Sequence, residues 1–241
     1  MQEKIGEHPL WHLNFLPAPF GTVHADTILI TWIAMAIVLI TVGLLARSYP
    51  VTRLSKRYTL LELLISVMSN QVESILGKNG VPFVPFILSL FLFIFVLNEI
   101  GVVPFVGRSP TADINTTAAL ALFVIGLVYG IGVYRKGLGY FGHLLHRPLS
   151  LGIPLLPIMI IDELVRPITL AMRLFGNIFA GEILLVVVVV LISAHLPIIS
   201  NAANAAPIIV FAFNIFVGAI QALVFTFLTI AYLIPPTSDE H

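Results

Sequence analysis

Long apolar runs separated by short polar segments make up most of the chain beyond residue 26. The run at residues 27–46 contains twenty residues and no charge. As a helix it would be about 30 Å long and would match the hydrocarbon core of a bilayer. The runs at residues 81–103 and 116–134 have the same apolar character. The pattern predicts a membrane-crossing helix at each of these three positions.

The last two apolar runs, at residues 155–194 and 202–234, are longer than a simple crossing requires. The second of them has no charged residue, and fully helical it would be about 48 Å long, against about 30 Å of hydrocarbon. Steep tilt or burial against protein would accommodate this length. Because only residues 195–201 separate the two runs, we expect them to form an antiparallel hairpin.

A different pattern occupies residues 58–77, where leucine and isoleucine recur at helical spacing with Glu62, Asn70 and Glu73 between them. This pattern predicts an amphipathic helix that lies on the membrane surface and does not cross it. The predicted fold class is an all-α polytopic membrane protein. It has five membrane-crossing helices and one amphipathic surface helix, and its last two helices are long and tilted.

Basic residues orient the predicted helices, because cytoplasmic loops of membrane proteins are enriched in Lys and Arg. The loops after the first and third crossings contain Arg47, Arg53, Lys56, Arg57, Lys78, Arg135, Lys136 and Arg147. The opposite side has only Lys4 and Arg108. This bias predicts an N-terminus outside and a C-terminus in the cytoplasm. The expected organisation is an extracytoplasmic segment, a single integral membrane domain and a cytoplasmic tail, at residues 1–26, 27–236 and 237–241.

Composition favours membrane lipid as the surrounding medium and excludes several soluble functions. Hydrophobic residues make up 59% and charged residues 10% of the chain, whereas a typical soluble domain has about 25% charged residues. The formal net charge is zero, which argues against nucleic-acid binding. There is no cysteine and no histidine set at ligand spacing, so we predict no metal site. The chain lacks a Gly-rich phosphate-binding loop, so we expect no cofactor and no ATP chemistry on it.

The stretch at residues 166–182 combines a membrane-like composition with charged and amide side chains. Arg173 lies deep in the fourth predicted crossing, where insertion scales assign an arginine a cost of about 2.5–3.5 kcal/mol. A guanidinium cannot lose its proton in a protein, so neutralisation offers no relief. A sequence that retains Arg173 here should need a permanent positive charge inside the membrane.

Polar side chains on the predicted hairpin line up with this arginine. Asn177 follows Arg173 by four residues and shares its face, whereas Glu182 is about 180° away in helical phase and should face another part of the bundle. On the last crossing, Asn214 and Gln221 are seven residues apart on one face. Antiparallel pairing can place Gln221 near Arg173 and Asn214 near Glu182. The sequence therefore predicts a polar path from the outer surface to mid-membrane.

Not all of these groups can exchange a proton. Glu182 is the one titratable group among the four polar residues beside Arg173, because amides only form hydrogen bonds. The alternative is that the amides and Glu182 only join helices, as buried polar side chains often do. Asp162 and Glu163 are candidates for the cytoplasmic side, although acidic residues are also common at helix N-termini. Asn98 and Glu99 lie at a span end, where solvation is easy.

The segment MRLFGNIFAGE resembles the signature of the a subunits of rotary F-type ATP synthases, in which an arginine of the stator is essential. LNEIGVVP, PTADINTTAALAL and QALVFTFLTIAYL also resemble segments of this family, and the resemblance extends over roughly residues 25–236. By position it implies that Arg173 is the essential arginine, that Asn177 and Glu182 line the outer half-channel, and that Gln221 lies beside the arginine. Asn214 falls where some members have histidine.

The resemblance further implies a non-catalytic stator subunit of the membrane sector (Fo), in a bacterial plasma (inner) membrane. Two offset proton half-channels would face a ring of c subunits, so that proton flow turns the ring and drives ATP synthesis. The implied partners are the c-ring, b-type peripheral stalk subunits and other ATP synthase subunits. Two alternatives belong to other classes, namely a stand-alone ion-coupled secondary transporter or channel and a non-conducting scaffold subunit. The first should show internal repeats, and none is evident; the second should not retain a deep arginine.

Overall fold

Helices form nearly all of the structure, a computed structural model that describes residues 10–12, 22–47, 56–101, 109–137, 139–140, 149–193 and 206–237. The helices are α1 (Ala25–Arg47), α2 (Lys56–Leu76), α3 (Val84–Ile100), α4 (Ile114–Lys136), α5 (Leu149–Ser193), α6 (Ala206–Tyr232) and α7 (Ile234–Thr237). Two 3₁₀ segments, Gly77–Phe83 and Pro110–Ala112, precede α3 and α4. The predicted all-α polytopic fold class is confirmed.

Apolar length agrees with the predicted crossings. Four helical stretches are long and apolar enough to cross a membrane, and a shorter apolar helix occupies the first predicted position. The four are Glu62–Ile100, Ile114–Lys136, Leu156–Val190 and Ile208–Tyr232, and the shorter one is Thr27–Gly43. The helix α5 runs without interruption for 45 residues, which at 1.5 Å per residue is about 67 Å. This length exceeds that of the predicted span because the helix already begins at Leu149.

The first described segment contains a feature that the sequence did not predict. Two short strands, β1 (Leu10–His12) and β2 (Thr22–His24), pair antiparallel with Trp11 opposite Val23. The strand β2 leads directly into α1. The rest of the predicted N-terminal segment, the loop that joins the last two helices and residues 238–241 of the predicted tail lie outside the described residues.

The core is built by α3, α4, α5 and α6, with α2 packed against one end. The helix α3 packs on α6, and α5 packs on both α4 and α6. Buried side chains at their contacts include Ile94, Val124, Leu174 and Phe225. The amphipathic α2 buries Met68 and Val72 in the same core, whereas its Glu62 and Glu73 are exposed. Hydrophobic periodicity therefore predicts which side of α2 is buried.

A side-chain cap fixes the start of α4. The N-cap is Asp113, whose side chain accepts a hydrogen bond from Asn115 N at 2.9 Å. The preceding 3₁₀ segment is capped by Ser109, whose hydroxyl accepts from Thr111 N at 3.3 Å. Both caps satisfy backbone donors that have no partner within a helix. They fix the start of α4 close to Glu182 of the hairpin, to which Ser109 N donates.

We expect Gly101→Ala to destabilise the fold, because a Cβ at Gly101 would overlap the backbone N and Cα of Ser109. Overpacking of this kind costs about 1–3 kcal/mol. The control is Gly126→Ala on α4, where an added Cβ meets no atom within 4 Å. Denaturation of the detergent-solubilised protein by SDS should shift to lower denaturant for the first variant alone. Equal stability of the two variants would contradict the close approach of Ser109 to the end of α3.

Candidate functional site

Two polar contacts set the register between α5 and α6. Asn177 Nδ2 donates to Gln221 Oε1 at 2.7 Å, and Asn214 Nδ2 donates to the carbonyl oxygen of Gly181 at 3.3 Å. Residue numbers rise along α5 as they fall along α6, so the helices are antiparallel and the predicted hairpin is confirmed. A Cβ at Gly181 would lie 2.6 Å from Asn214 Oδ1. Glycine thus permits the close helix approach that small residues provide in membranes.

Arg173 lies on the side of α5 that faces away from the protein core. The neighbouring Leu170 and Leu174 are buried in the core at 1% and 0% exposure, whereas Met172 is 49% exposed. Arg173 is itself exposed. Within the described residues it forms no ion pair and no hydrogen bond. Its permanent charge is therefore available to a group outside the described part of this chain.

The hydrogen bond of Gln221 is with Asn177 and not with Arg173. Gln221 is 2% exposed, and its Nε2 has no acceptor among the described residues. Asn177 and Arg173 are four residues apart on α5, which is about one helical turn. That Gln221 lies close to Arg173 stays a prediction.

Glu182 faces away from Arg173, as its helical phase predicts. Its Oε1 accepts a hydrogen bond from Ser109 N at 2.9 Å, and the residue is half-buried. A backbone N–H on a carboxylate is a charge-assisted hydrogen bond, which is stronger than one between neutral groups. The contact joins α5 to the segment before α4, so Glu182 contributes to packing.

Sequence reasoning missed a buried network beside Glu182. Asn98 was expected to be solvated at a span end, but it is 1% exposed. Its Nδ2 donates to the carbonyl oxygen of Gly218 at 3.0 Å, and its Oδ1 accepts from Thr111 Oγ1 at 2.9 Å. Thr111 Oγ1 is 2.7 Å from Ser109 Oγ, which donates to the carbonyl oxygen of Leu97 at 2.8 Å. Hydrogen bonds therefore connect α3 and α6 to the residue that contacts Glu182.

Glu99 also differs from the expectation of easy solvation. Its Oε1 is buried and accepts no hydrogen bond from the described residues. This oxygen lies against α6, because a Cβ at Gly218 would be 2.7 Å from it. The available signal was an ionisable residue inside an apolar run, which is a functional candidate by default. Its position near the end of the predicted span, residues 81–103, led instead to the expectation of solvation.

On the N-terminal side of Arg173 along α5, the two candidate acids, Asp162 and Glu163, share one arginine. Arg166 Nη2 is 3.3 Å from Asp162 Oδ2, and Arg166 Nη1 is 3.1 Å from Glu163 Oε2. Glu163 Oε1 also accepts from Tyr129 OH at 2.7 Å, and the guanidinium lies 5.4 Å from the ring centre of Tyr232. The side chain of Glu163 is 15% exposed against 68% for Asp162. The exposed pair contributes little because solvent screens it.

The position of this cluster within α5 corrects one interpretation. Asp162 and Glu163 were also compatible with charges at a helix N-terminus, yet α5 begins at Leu149, more than three turns earlier. They are therefore interior helical residues whose shared cation, and not the helix dipole, compensates their charge.

The sequence of this chain is similar to known proteins over most of its length. The chain matches the family described as ATP synthase A chain over residues 28–234. It is similar to ATP synthase subunit a of Desulforamulus reducens, with 38% identity over 226 residues. That alignment covers 92% of this chain and 81% of the relative.

The absence of cysteine from the sequence allows the hairpin register to be tested by cross-linking. We expect the double variant Gly181→Cys/Asn214→Cys to form a disulfide on mild oxidation, because a Cβ at position 181 would lie 3.2 Å from Asn214 Cγ. The Cγ of Asn214 occupies the place that the sulfur of a cysteine would take, so the sulfur atoms of the two cysteines can come within bonding distance. The matched control, Gly181→Cys/Gln221→Cys, moves one thiol by about 10 Å along α6 and should stay reduced. Peptide mapping by mass spectrometry distinguishes the two, and cross-linking of the control alone would refute the register.

Proposed function

This chain belongs to the ATP synthase A chain family, and on that premise we propose a route for the proton through its described residues. The family makes it a non-catalytic subunit of the membrane sector, with the stator role in proton translocation that drives ATP synthesis. Other ATP synthase subunits are its partners. Membership also disfavours the alternative of a stand-alone secondary transporter or channel. The observation that carries the proposed route is the exposed guanidinium of Arg173, which has no ion pair or hydrogen bond with any described residue.

The partner of Arg173 is a carboxylate on a ring of c subunits. An arginine on a lipid-exposed face is costly unless an opposite charge compensates it. A ring carboxylate in lipid favours its neutral form, whereas the same group beside a fixed cation favours its ionised form. Exposed apolar side chains flank Arg173 on this face of α5, including Ile168, Met172 and Phe179. They would pack against the ring as it turns.

The outer half-channel is formed by Glu182, Asn177, Asn214 and Gln221. Glu182 exchanges the proton, and the amides orient water along the route, since an amide cannot titrate. The bond between Asn177 and Gln221, at 2.7 Å, closes the inner end of this row one turn from Arg173. Protons would pass from here to the ring carboxylate.

The cytoplasmic half-channel begins at Glu163 and Asp162. Glu163 is the more buried of the two, and Arg166 and Tyr129 fix its orientation. Arg173 lies seven residues from Arg166 and nine from Glu182, or about 10 Å and 13 Å along the axis. Its charge repels a proton that would pass directly between the two halves, so the proton crosses only when the ring turns. Each charge moved across a potential of 100 mV supplies about 2.3 kcal/mol.

The orientation and location follow from charge distribution. Basic residues concentrate on the side of the loops after the first and third helices, so the N-terminus lies outside and the C-terminus in the cytoplasm. The protein would be a multi-pass component of a bacterial plasma (inner) membrane. The remaining exposed helix faces are available to b-type peripheral stalk subunits and to lipid.

Arg173→Lys should abolish coupled transport even though a positive charge is nominally retained. Lysine can lose its proton when desolvated, and it lacks the planar fork of guanidinium. We expect ATP-driven proton pumping in inverted vesicles to fall to background while the complex still assembles. Arg135→Lys is the control, because it makes the same change at the exposed end of α4 and should pump normally. Normal pumping by Arg173→Lys would refute the stator mechanism.

Glu182→Gln should slow passive proton conduction through the membrane sector on the order of 10²-fold, the lower end of the contribution of a positioned proton-transfer group. The glutamine oxygen can still accept from Ser109 N, so the complex should remain intact. Conduction is measured as pH change in vesicles stripped of the catalytic sector. Glu73→Gln on the exposed face of α2 is the matched control. Unchanged conduction in Glu182→Gln would leave this residue a purely structural role.

A further inference from the structure

Glu99 occupies a position that packing alone does not explain. Its Oε1 is buried without a hydrogen-bond donor among the described residues. Buried polar atoms in folded proteins are nearly always hydrogen-bonded, so an exception calls for a functional account. A purely structural glutamate here would be expected to have a donor, as its neighbour Asn98 has an acceptor in the carbonyl oxygen of Gly218 at 3.0 Å.

The carboxyl group of Glu99 lies between the two contacts of the hairpin. It packs on Gly218, where any Cβ would be 2.7 Å from Oε1. On α6, Gly218 follows Asn214 by four residues and precedes Gln221 by three, so the three positions share one face. Glu99 is therefore placed at the level where the route passes from the outer contact, at Asn214, to the inner contact, at Gln221.

A chain of polar contacts that starts at Asn98, the residue before Glu99, leads toward Glu182. The adjacent Asn98 bonds Thr111 at 2.9 Å, and Thr111 is 2.7 Å from the hydroxyl of Ser109. Ser109 N donates to Glu182 at 2.9 Å. The charged residues of the described segments at this end include Glu182, Asp113, which caps α4, and Asp26 in the first turn of α1, while α6 has no charged residue. No described cation pairs with Glu99.

We propose that Glu99 is a second proton-carrying carboxyl group of the outer half-channel, located on α3 at Gly218. The inference rests on the proposed function and adds a residue to it. Asn214 and Gln221 cannot carry a proton, so the turn of α6 between them otherwise lacks a group that can. Glu99 takes a proton from water on the Glu182 side and releases it to water on the Gln221 side. Only a proton moves, and the carboxyl group returns to its starting state.

The test compares Glu99→Gln with Glu99→Gln/Asn214→Asp in the complete ATP synthase complex. The first variant keeps the shape of the side chain but removes the titratable group. The second restores a carboxyl group at position 214, which is about one helical turn from Gly218 on the face of α6 that Glu99 contacts. Passive proton conduction is measured in vesicles stripped of the catalytic sector, with Glu62→Gln on the exposed part of α2 as the control. We expect at least about a tenfold loss in Glu99→Gln, below the range for a sole proton-transfer group because Glu182 remains, and substantial recovery in the double variant.

Three outcomes are decisive. Wild-type conduction in Glu99→Gln overturns the inference, and so does a loss that the second carboxyl group does not restore, because it would mark a structural role. If Glu99→Gln prevents assembly, Glu99→Asp replaces it, and a conduction–pH profile displaced from that of the wild type supports the inference while an identical profile overturns it. Failure here is distinct from failure of the stator mechanism, which depends on pumping by Arg173→Lys.

Discussion

A positive charge that cannot be neutralised, placed on an apolar helix face, is the constraint on which the rest of the structure depends. Arg173 keeps its proton in any protein environment, and α5 directs it away from the core by burying Leu170 and Leu174 instead. Within the described residues no acid of the chain compensates it. A partner with an opposite charge would complete the helix face around it, and many large apolar side chains on α5 and α6 are exposed in the isolated chain.

The polar groups of the outer end follow a second constraint, namely that buried hydrogen-bonding groups need partners in a medium without water. Amides, hydroxyls and backbone carbonyls pair across α3, α5 and α6 and across the segment before α4. Three glycines make these approaches possible, at positions 101, 181 and 218. At each of them a Cβ would collide with a residue of the network or with its carboxyl neighbour. The glycines thus mark where helices and the connecting segment meet.

The acidic residues on the two sides of Arg173 have different hydrogen-bond and ion-pair partners. Asp162 and Glu163 share the cation of Arg166, whereas Glu182 accepts from a backbone amide and Glu99 has an oxygen without a donor among the described residues. Within the described residues neither set is bound to Arg173. The ion pairs with Arg166 fix the orientation of Asp162 and Glu163.

What the sequence determined by itself was the periodic and chemical part of this protein. Run length and hydrophobic spacing predicted the helices and the antiparallel hairpin, and the chemistry of guanidinium singled out Arg173, because these properties depend on local composition alone. The phase of α5 also directed Glu182 away from that arginine. Only the tertiary structure revealed that Glu182 bonds a backbone amide 73 residues earlier, that Gln221 pairs with Asn177, and that Asn98 and Glu99 are buried against Gly218. Such contacts depend on how far one helix slides and how closely it approaches another, and helical periodicity contains no information on either.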